Sequence, residues 1–203
     1  MVYKLSLATG IPETHLETVK ETILKAANIN PDTNFFTNYS HQHKIYKPLN
    51  LSLELDEDQQ NRIRVIDDKD IIKYDIPLPG NNNNEVTIQN YNILEIAENE
   101  TDINKTNQFL HDLGYVEDYT YLEKGETLNV HELKLIIKIF KIDSMMEKGG
   151  FILEIFSLLE NFQDFDYIAL IKKNLLTFKQ KLGKHFPLLI IDRKLMDSRI
   201  QDY

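Results

Sequence analysis

Tyr3, Leu5 and Leu7 alternate with Val2, Lys4 and Ser6 at the start of the chain. A period of two sends alternate side chains to opposite faces, so the spacing predicts a strand. Gly10-Ile11-Pro12 reads as a turn out of it, with Pro12 suited to the approach to a helix. The period then lengthens. Leu16, Val19, Ile23, Leu24 and Ala27 make an apolar helical stripe that Asn30-Pro31 closes. Burying each large residue of that stripe is worth on the order of 1.5–3 kcal/mol, so the helix is expected to lie on a sheet.

From Phe35 to Ile76 the pattern is one of short strands with polar breaks. Phe35-Phe36, Ile45-Tyr46, Leu51-Leu53-Leu55, Ile63-Val65 and Ile71-Ile72 are the apolar marks; Lys47-Pro48 and Asp67 to Asp70 are the breaks. Pro77, Pro79, Gly80 and the asparagines Asn81 to Asn84 predict the most flexible loop, near 79–85. A strand is expected from Val86 to about Ala97, then a short helix capped by Thr101-Asp102 and stopped by Gly114.

Next comes a predicted hairpin. Tyr115, Tyr119 and Tyr121 fall on one strand face, Glu123-Lys124-Gly125-Glu126 reads as a tight turn, and a second strand runs from Thr127 through Leu133, Leu135, Ile137 and Ile139. Ser144 to Gly150 reads as a loop and Phe151 to Phe156 as a strand. Asp164 or Asp166 is placed to cap a last helix whose stripe is Ile168, Ile171, Leu175, Phe178 and Leu182, stopped by Gly183; Leu188 to Ile191 is long enough for one more strand. Three helices and roughly nine to eleven strands indicate an α+β domain. Closing an antiparallel sheet removes its edges, so the expectation is a multi-stranded β-barrel with helices packed outside, as one domain over 1–203.

Composition narrows the function. At 203 residues a single domain buries roughly 70% of its unfolded surface, enough for a core without staples. No cysteine is present, which excludes disulfides and thiolate metal sites. The absence of an 18-residue apolar run, with strand alternation at the start, leads to the expectation of a soluble, intracellular protein. A net charge of −9 and a pI near 5.2 work against phosphate-backbone binding, so a direct nucleic-acid role is not expected. Asn38, Asn50, Asn99 and Asn104 match the glycosylation acceptor pattern, which is not expected to be used in such a chain.

Candidate chemistry is sparse. Glu54, Asp56 and Asp58 lie two apart, as do Arg62 and Arg64, and Lys134 and Lys138 are expected on one face. Carboxylates for metal ions with cations for phosphates inside a barrel would suit hydrolysis of a triphosphate; the bland reading of Glu54 to Asp58 is a polar strand end. His41 and His43 would share a strand face, but no third ligand is signalled, so no metal is expected. His111 and His131 are expected to face solvent. No Gly-rich phosphate loop and no nucleophile elbow occur, so no catalytic residue and no cofactor are assigned. The tyrosine row is either a half-buried strand face or a partner surface, since tyrosine joins contact area to a hydrogen-bonding tip.

Four stretches carry a resemblance. They are VYKLSL with its Gly-Ile-Pro turn, Tyr74-Asp75-Ile76-Pro77-Leu78-Pro79-Gly80, the segment from LGY at Leu113 to KIFKI at Ile142, and Ile191 to Arg199. Together they resemble, in order, the Mediator subunit 18 family of the RNA polymerase II coactivator. The resemblance implies a barrel with outer helices, similar to the triphosphate-tunnel barrel, and a nuclear, non-enzymatic subunit of the Mediator head module. It implies pairing with Mediator subunit 20 and capture of a C-terminal helix of subunit 8, with indirect contact to RNA polymerase II and initiation factors. Candidate partner-binding residues are Tyr115, Tyr119 and Tyr121 with Asp192, Arg193, Asp197 and Arg199, the last group weighed mainly as an architectural element. The competing reading is a metal-dependent triphosphate tunnel hydrolase. Its hallmark, Glu-x-Glu-x-Lys on the first strand, is missing from VYKLSLA.

Overall fold

The computed structural model describes residues 1–30, 35–49, 61–75, 77, 85–95, 103–143, 150–160, 163–183, 186–191 and 196. Eight strands are defined among them: β1 (Val2–Pro12), β2 (Thr37–Pro48), β3 (Ile63–Ile66), β4 (Asp70–Tyr74), β5 (Thr87–Glu95), β6 (Tyr115–Val130), β7 (Leu135–Ile142) and β8 (Gly150–Leu159). They close into an antiparallel barrel in the order β1-β5-β4-β3-β2-β6-β7-β8. Helices α1 (Leu16–Ala26), α2 (Ile103–Asp112) and α3 (Phe165–Leu182) complete the fold. The expected barrel with three outer helices is what forms.

Two apolar layers lie outside the barrel wall. The larger joins Val19 and Ile23 of α1 and Ile171, Leu175 and Phe178 of α3 to Leu5, Leu7, Ile137 and Ile155 of the wall. A smaller layer sets Leu110 of α2 against Tyr46, Ile63, Val65 and Ile71. The strands' apolar faces therefore point outward to the helices, and much of their polar alternation points into the lumen. The period of two marks the faces but does not say which is inside.

Helix ends follow the residues that dictate them. Asp164 caps α3 by accepting from the Tyr167 amide at 2.9 Å, and Gly183 ends it with φ +68°. The predicted stripe of α3 is the buried one. Gly114, at φ +82°, follows α2. α1 stops earlier than Asn30-Pro31: Asn28 takes a left-handed φ of 58°, and the Ile29 amide turns back to the Leu24 carbonyl at 2.9 Å. Asp67 and Asp68, at φ 50° and 57°, form the turn between β3 and β4.

Four readings of the wall need correction. Gly10-Ile11-Pro12 does not leave β1; these residues pair with Ile152, Phe151 and Gly150 of β8. Lys47-Pro48 ends β2 and pairs with Val116 and Tyr115, so it is no internal break. Glu123 to Glu126 is not a turn but the middle of the 16-residue β6. The chain reverses at His131–Leu133, where Lys134 supplies the left-handed backbone (φ 55°), and Asn174 of α3 donates to the Leu133 carbonyl at 2.9 Å. Gly125 is needed for a different reason: a Cβ there would stand 2.7 Å from Cα of Phe140 and closer still to the Ile139 carbonyl oxygen, so it marks a close strand approach. Finally, Leu188 to Ile191 makes only an isolated bridge, Leu189 with Ala8.

Several expectations lie outside the described residues: the loop at 79–84, the strand marks at Leu51 to Leu55, the cap at Thr101-Asp102 and the loop at 144–149.

Candidate functional site

Closing the sheet brings one face of every strand to a common cavity of about 560 Å³. Lys4 of β1, His43 of β2, Arg64 of β3, Glu123 of β6, Lys138 of β7 and Glu154 of β8 line it. Lys4 and Glu154 pair at 2.6 Å, and Lys4 also lies 4.5 Å over the Phe156 ring. Lys138 stands 3.5 Å from Glu123, which also accepts from the Tyr39 hydroxyl at 2.9 Å and lies 3.7 Å from His43 Nε2. Each buried carboxylate thus has a cation on an adjoining strand, the arrangement that makes enclosing charge tolerable.

His43 is 3% exposed and stacks on Tyr121, with ring centroids 4.7 Å apart and planes within 7°. Burial, reinforced by the nearby Arg64 guanidinium, lowers its pKa to about 4, so the ring is neutral at neutral pH. Arg64 reaches the Tyr74 hydroxyl at 3.3 Å through Nη1 and lies 4.7 Å over that ring. Burial also pushes the Tyr121 phenol up to about 12.

The tyrosine row does not keep one face. Ile45 pairs with Tyr119, yet the next residue, Tyr46, pairs with Glu117, so Asp118 is the extra residue of a bulge. That insertion reverses the alternation. Tyr119 and Tyr121 face the lumen, whereas Tyr115 packs outside on the layer beneath α2. Tyr119, 52% exposed, stands at the mouth. Asp118 is held by Lys47 at 2.8 Å and Arg62 at 3.3 Å, and these partners, Lys47 first, keep its carboxyl below the usual range.

Not every candidate pair separates. Arg62 and Arg64 both line the lumen, with Arg62 held by Asp118. Lys138 lines the lumen, but Lys134 is exposed in the β6–β7 turn, so the two do not share a face. His111 and His131 are exposed, as expected. His41 pairs with Asp67 at 2.6 Å. Among the described residues no three His, Asp or Glu side chains gather as a metal cage. Glu54, Asp56, Asp58, Asp192, Arg193, Asp197, Ser198 and Arg199 lie outside the described residues.

Sequence reasoning missed Lys4, Glu123 and Glu154. Lys4 and Glu154 sit on strands whose polar face reads as solvent-facing until the barrel closes, and Glu123 reads locally as the start of a turn. A usable signal is present in the β6 pattern beyond its bulge, where Leu128 and Val130 continue the alternation.

Comparison with known proteins gives a consistent result. Residues 70–199 match the family model described as Med18 protein. Subunit 18 of the Mediator of RNA polymerase II transcription from Candida glabrata is 30% identical over 134 residues, covering 62% of this chain and 49% of that protein. The Saccharomyces cerevisiae counterpart is 30% identical over 132 residues, covering 62% and 43%. This chain therefore spans about half the length of the curated relatives it matches. Among solved structures, a chain of the Schizosaccharomyces pombe Mediator head module superposes with a TM-score of 0.70 at 14% identity, covering 93% of this chain and 98% of that one. At that identity the superposition speaks for the fold.

Proposed function

The chain belongs to the Med18 protein family, and from that membership we propose that it is a non-enzymatic subunit of the Mediator head module, a scaffold for protein contacts that regulate RNA polymerase II initiation in the nucleus. The observation that carries the reading is the family match over residues 70–199, most of the barrel wall together with α2 and α3. The proposal extends to pairing with Mediator subunit 20 and to capture of a C-terminal helix of subunit 8. Surface chemistry supports a contact role: Leu49, Phe109 and Leu113 stand exposed around the end of α2, where the Leu49 amide donates to the Gly114 carbonyl at 2.7 Å. Tyr119 at the mouth, with Asp192, Arg193, Asp197 and Arg199, are the polar and aromatic residues proposed for partner contacts.

The chemistry of the lumen argues against a metal-dependent tunnel hydrolase. β1 offers Lys4 and Ala8 to the cavity where such an enzyme carries its carboxylate pair. Glu154 and Glu123 are already engaged by Lys4 and Lys138, so neither is a free ligand for a divalent ion. Affinity purification of the tagged chain from its own source, read by mass spectrometry, tests the assignment. Recovery of Mediator subunits 20 and 8 at near-stoichiometric levels is expected. Recovery of the chain without them, together with metal-dependent phosphate release from triphosphate, would overturn it.

A further inference from the structure

The lumen holds polar groups for which a scaffold has no use. Nε of Arg64 and both ring nitrogens of His43 are buried with no hydrogen-bond partner among the described residues, His43 Nε2 lying 3.7 Å from Glu123 Oε2, and Ser6 Oγ of β1 is likewise unpaired. Leaving such atoms unpaired is unfavourable, and folds keep them where something is to be met. His43 and Arg64 are neighbours across the β2–β3 pairing, in which Arg64 lies opposite Ile45 and Ile66 opposite His43. The cavity charge is also uneven. Among the described residues Lys4, Arg62, Arg64 and Lys138 face Glu123 and Glu154, four minus two or +2, and Asp118, 3.3 Å from Arg62, offsets one of these and leaves +1 inside a chain of net charge −9. Both lysines and Arg62 have carboxylate partners, at 2.6, 3.5 and 3.3 Å, so among the described residues Arg64, which leans on the Tyr74 ring, is the surplus cation. Its unpaired Nε belongs to the side-on fork that receives a carboxylate in two parallel hydrogen bonds. Beside it the stacked His43 and Tyr121 rings continue to Tyr119, 6.3 Å from Tyr121, and offer flat apolar faces.

We propose that the barrel lumen binds a small, singly charged organic acid with a flat apolar body, its carboxylate on Arg64 and its body against the His43–Tyr121 stack. One surplus positive charge matches a monoanion; a phosphate dianion would leave an uncompensated charge next to Glu123 and Glu154. The neutral ring of His43, with one donor and one acceptor nitrogen, can give the carboxylate a further hydrogen bond without adding charge. This inference stands apart from the Mediator assignment, since it rests on the lumen alone.

Titration calorimetry and thermal melting of the full chain with benzoate, in parallel with inorganic phosphate, test it. Benzoate is expected to bind saturably with a Kd of about 1 mM or tighter and to raise Tm, and phosphate to bind at least tenfold more weakly. Arg64→Lys, which keeps the charge but loses the fork, is expected to weaken benzoate binding tenfold or more. Should the variant fail to fold, nitrogen and carbon NMR of the unmodified chain takes its place: benzoate is expected to shift the Arg64 Nε and His43 ring signals first. Absence of saturable binding, equal affinity in folded Arg64→Lys, tighter binding of phosphate, or shifts confined to residues outside the lumen would each overturn the proposal.

Discussion

His43 shows how a single enclosed side chain ties stability to pH. In the fold its ring stays neutral down to about pH 4, whereas in the unfolded chain it takes up a proton below roughly pH 6.5. Between those values the unfolded state binds more protons, so lowering the pH draws the equilibrium toward unfolding. The contribution is fully present above pH 6.5 and falls by on the order of 3 kcal/mol toward pH 4. Urea titrations of wild type and His43→Phe at pH 7 and pH 4.5 measure it: the stability of wild type relative to the variant is expected to fall as the pH drops, and an unchanged difference would refute the assignment. Gly125 gives a second single-residue test. Because an added methyl group meets backbone of Ile139 and Phe140, Gly125→Ala is expected to cost about 1–3 kcal/mol, seen as a lower urea midpoint. A turn glycine with positive φ would instead tolerate asparagine; here Asn is expected to be worse than Ala.

At the level of elements, the smaller layer depends on few residues. α2 is fastened by Leu110, fully buried among Tyr46, Ile63, Val65 and Ile71, and by the Tyr46 hydroxyl, which donates to Asn107 Oδ1 at 2.6 Å. Leu110→Ala is expected to cost about 2–5 kcal/mol, with faster amide exchange in α2 before the α1–α3 layer responds; uniform loss of protection would count against two separate layers. This is also the scale at which legibility was uneven. The stripes of α1 and α3, the cap at Asp164 and the stop at Gly114 could be read because each depends on neighbours within one helical turn. The β6–β7 reversal could not, because Lys124-Gly125 looks like a turn locally while the constraint on Gly125 comes from Phe140, on the other strand. Nor could the split of Tyr115 from Tyr119 and Tyr121, which a one-residue bulge at Asp118 decides, held in place by Lys47 and Arg62. The lumen charges Lys4 and Glu154 stayed hidden for a related reason: inward and outward are defined only once the sheet closes.

For the whole molecule, β6 is the strand that joins the two layers. Its first half pairs with β2 beside α2, and its second half pairs with β7 beneath α1 and α3. From Glu123 to Thr127 it has partners on both sides, His41 to Thr37 of β2 and Ile142 to Lys138 of β7. An amide there is released only when one of these ladders has opened. Hydrogen exchange across the chain is therefore expected to be slowest in this five-residue overlap, at the free energy of global unfolding, and to respond equally to Leu110→Ala in one layer and Leu175→Ala in the other. Exchange in the overlap that tracked only one of the two substitutions would show the layers opening independently. A load applied at α2 would, on this arrangement, be carried to α1 and α3 along β6, so a partner gripping one side of the barrel stiffens the other.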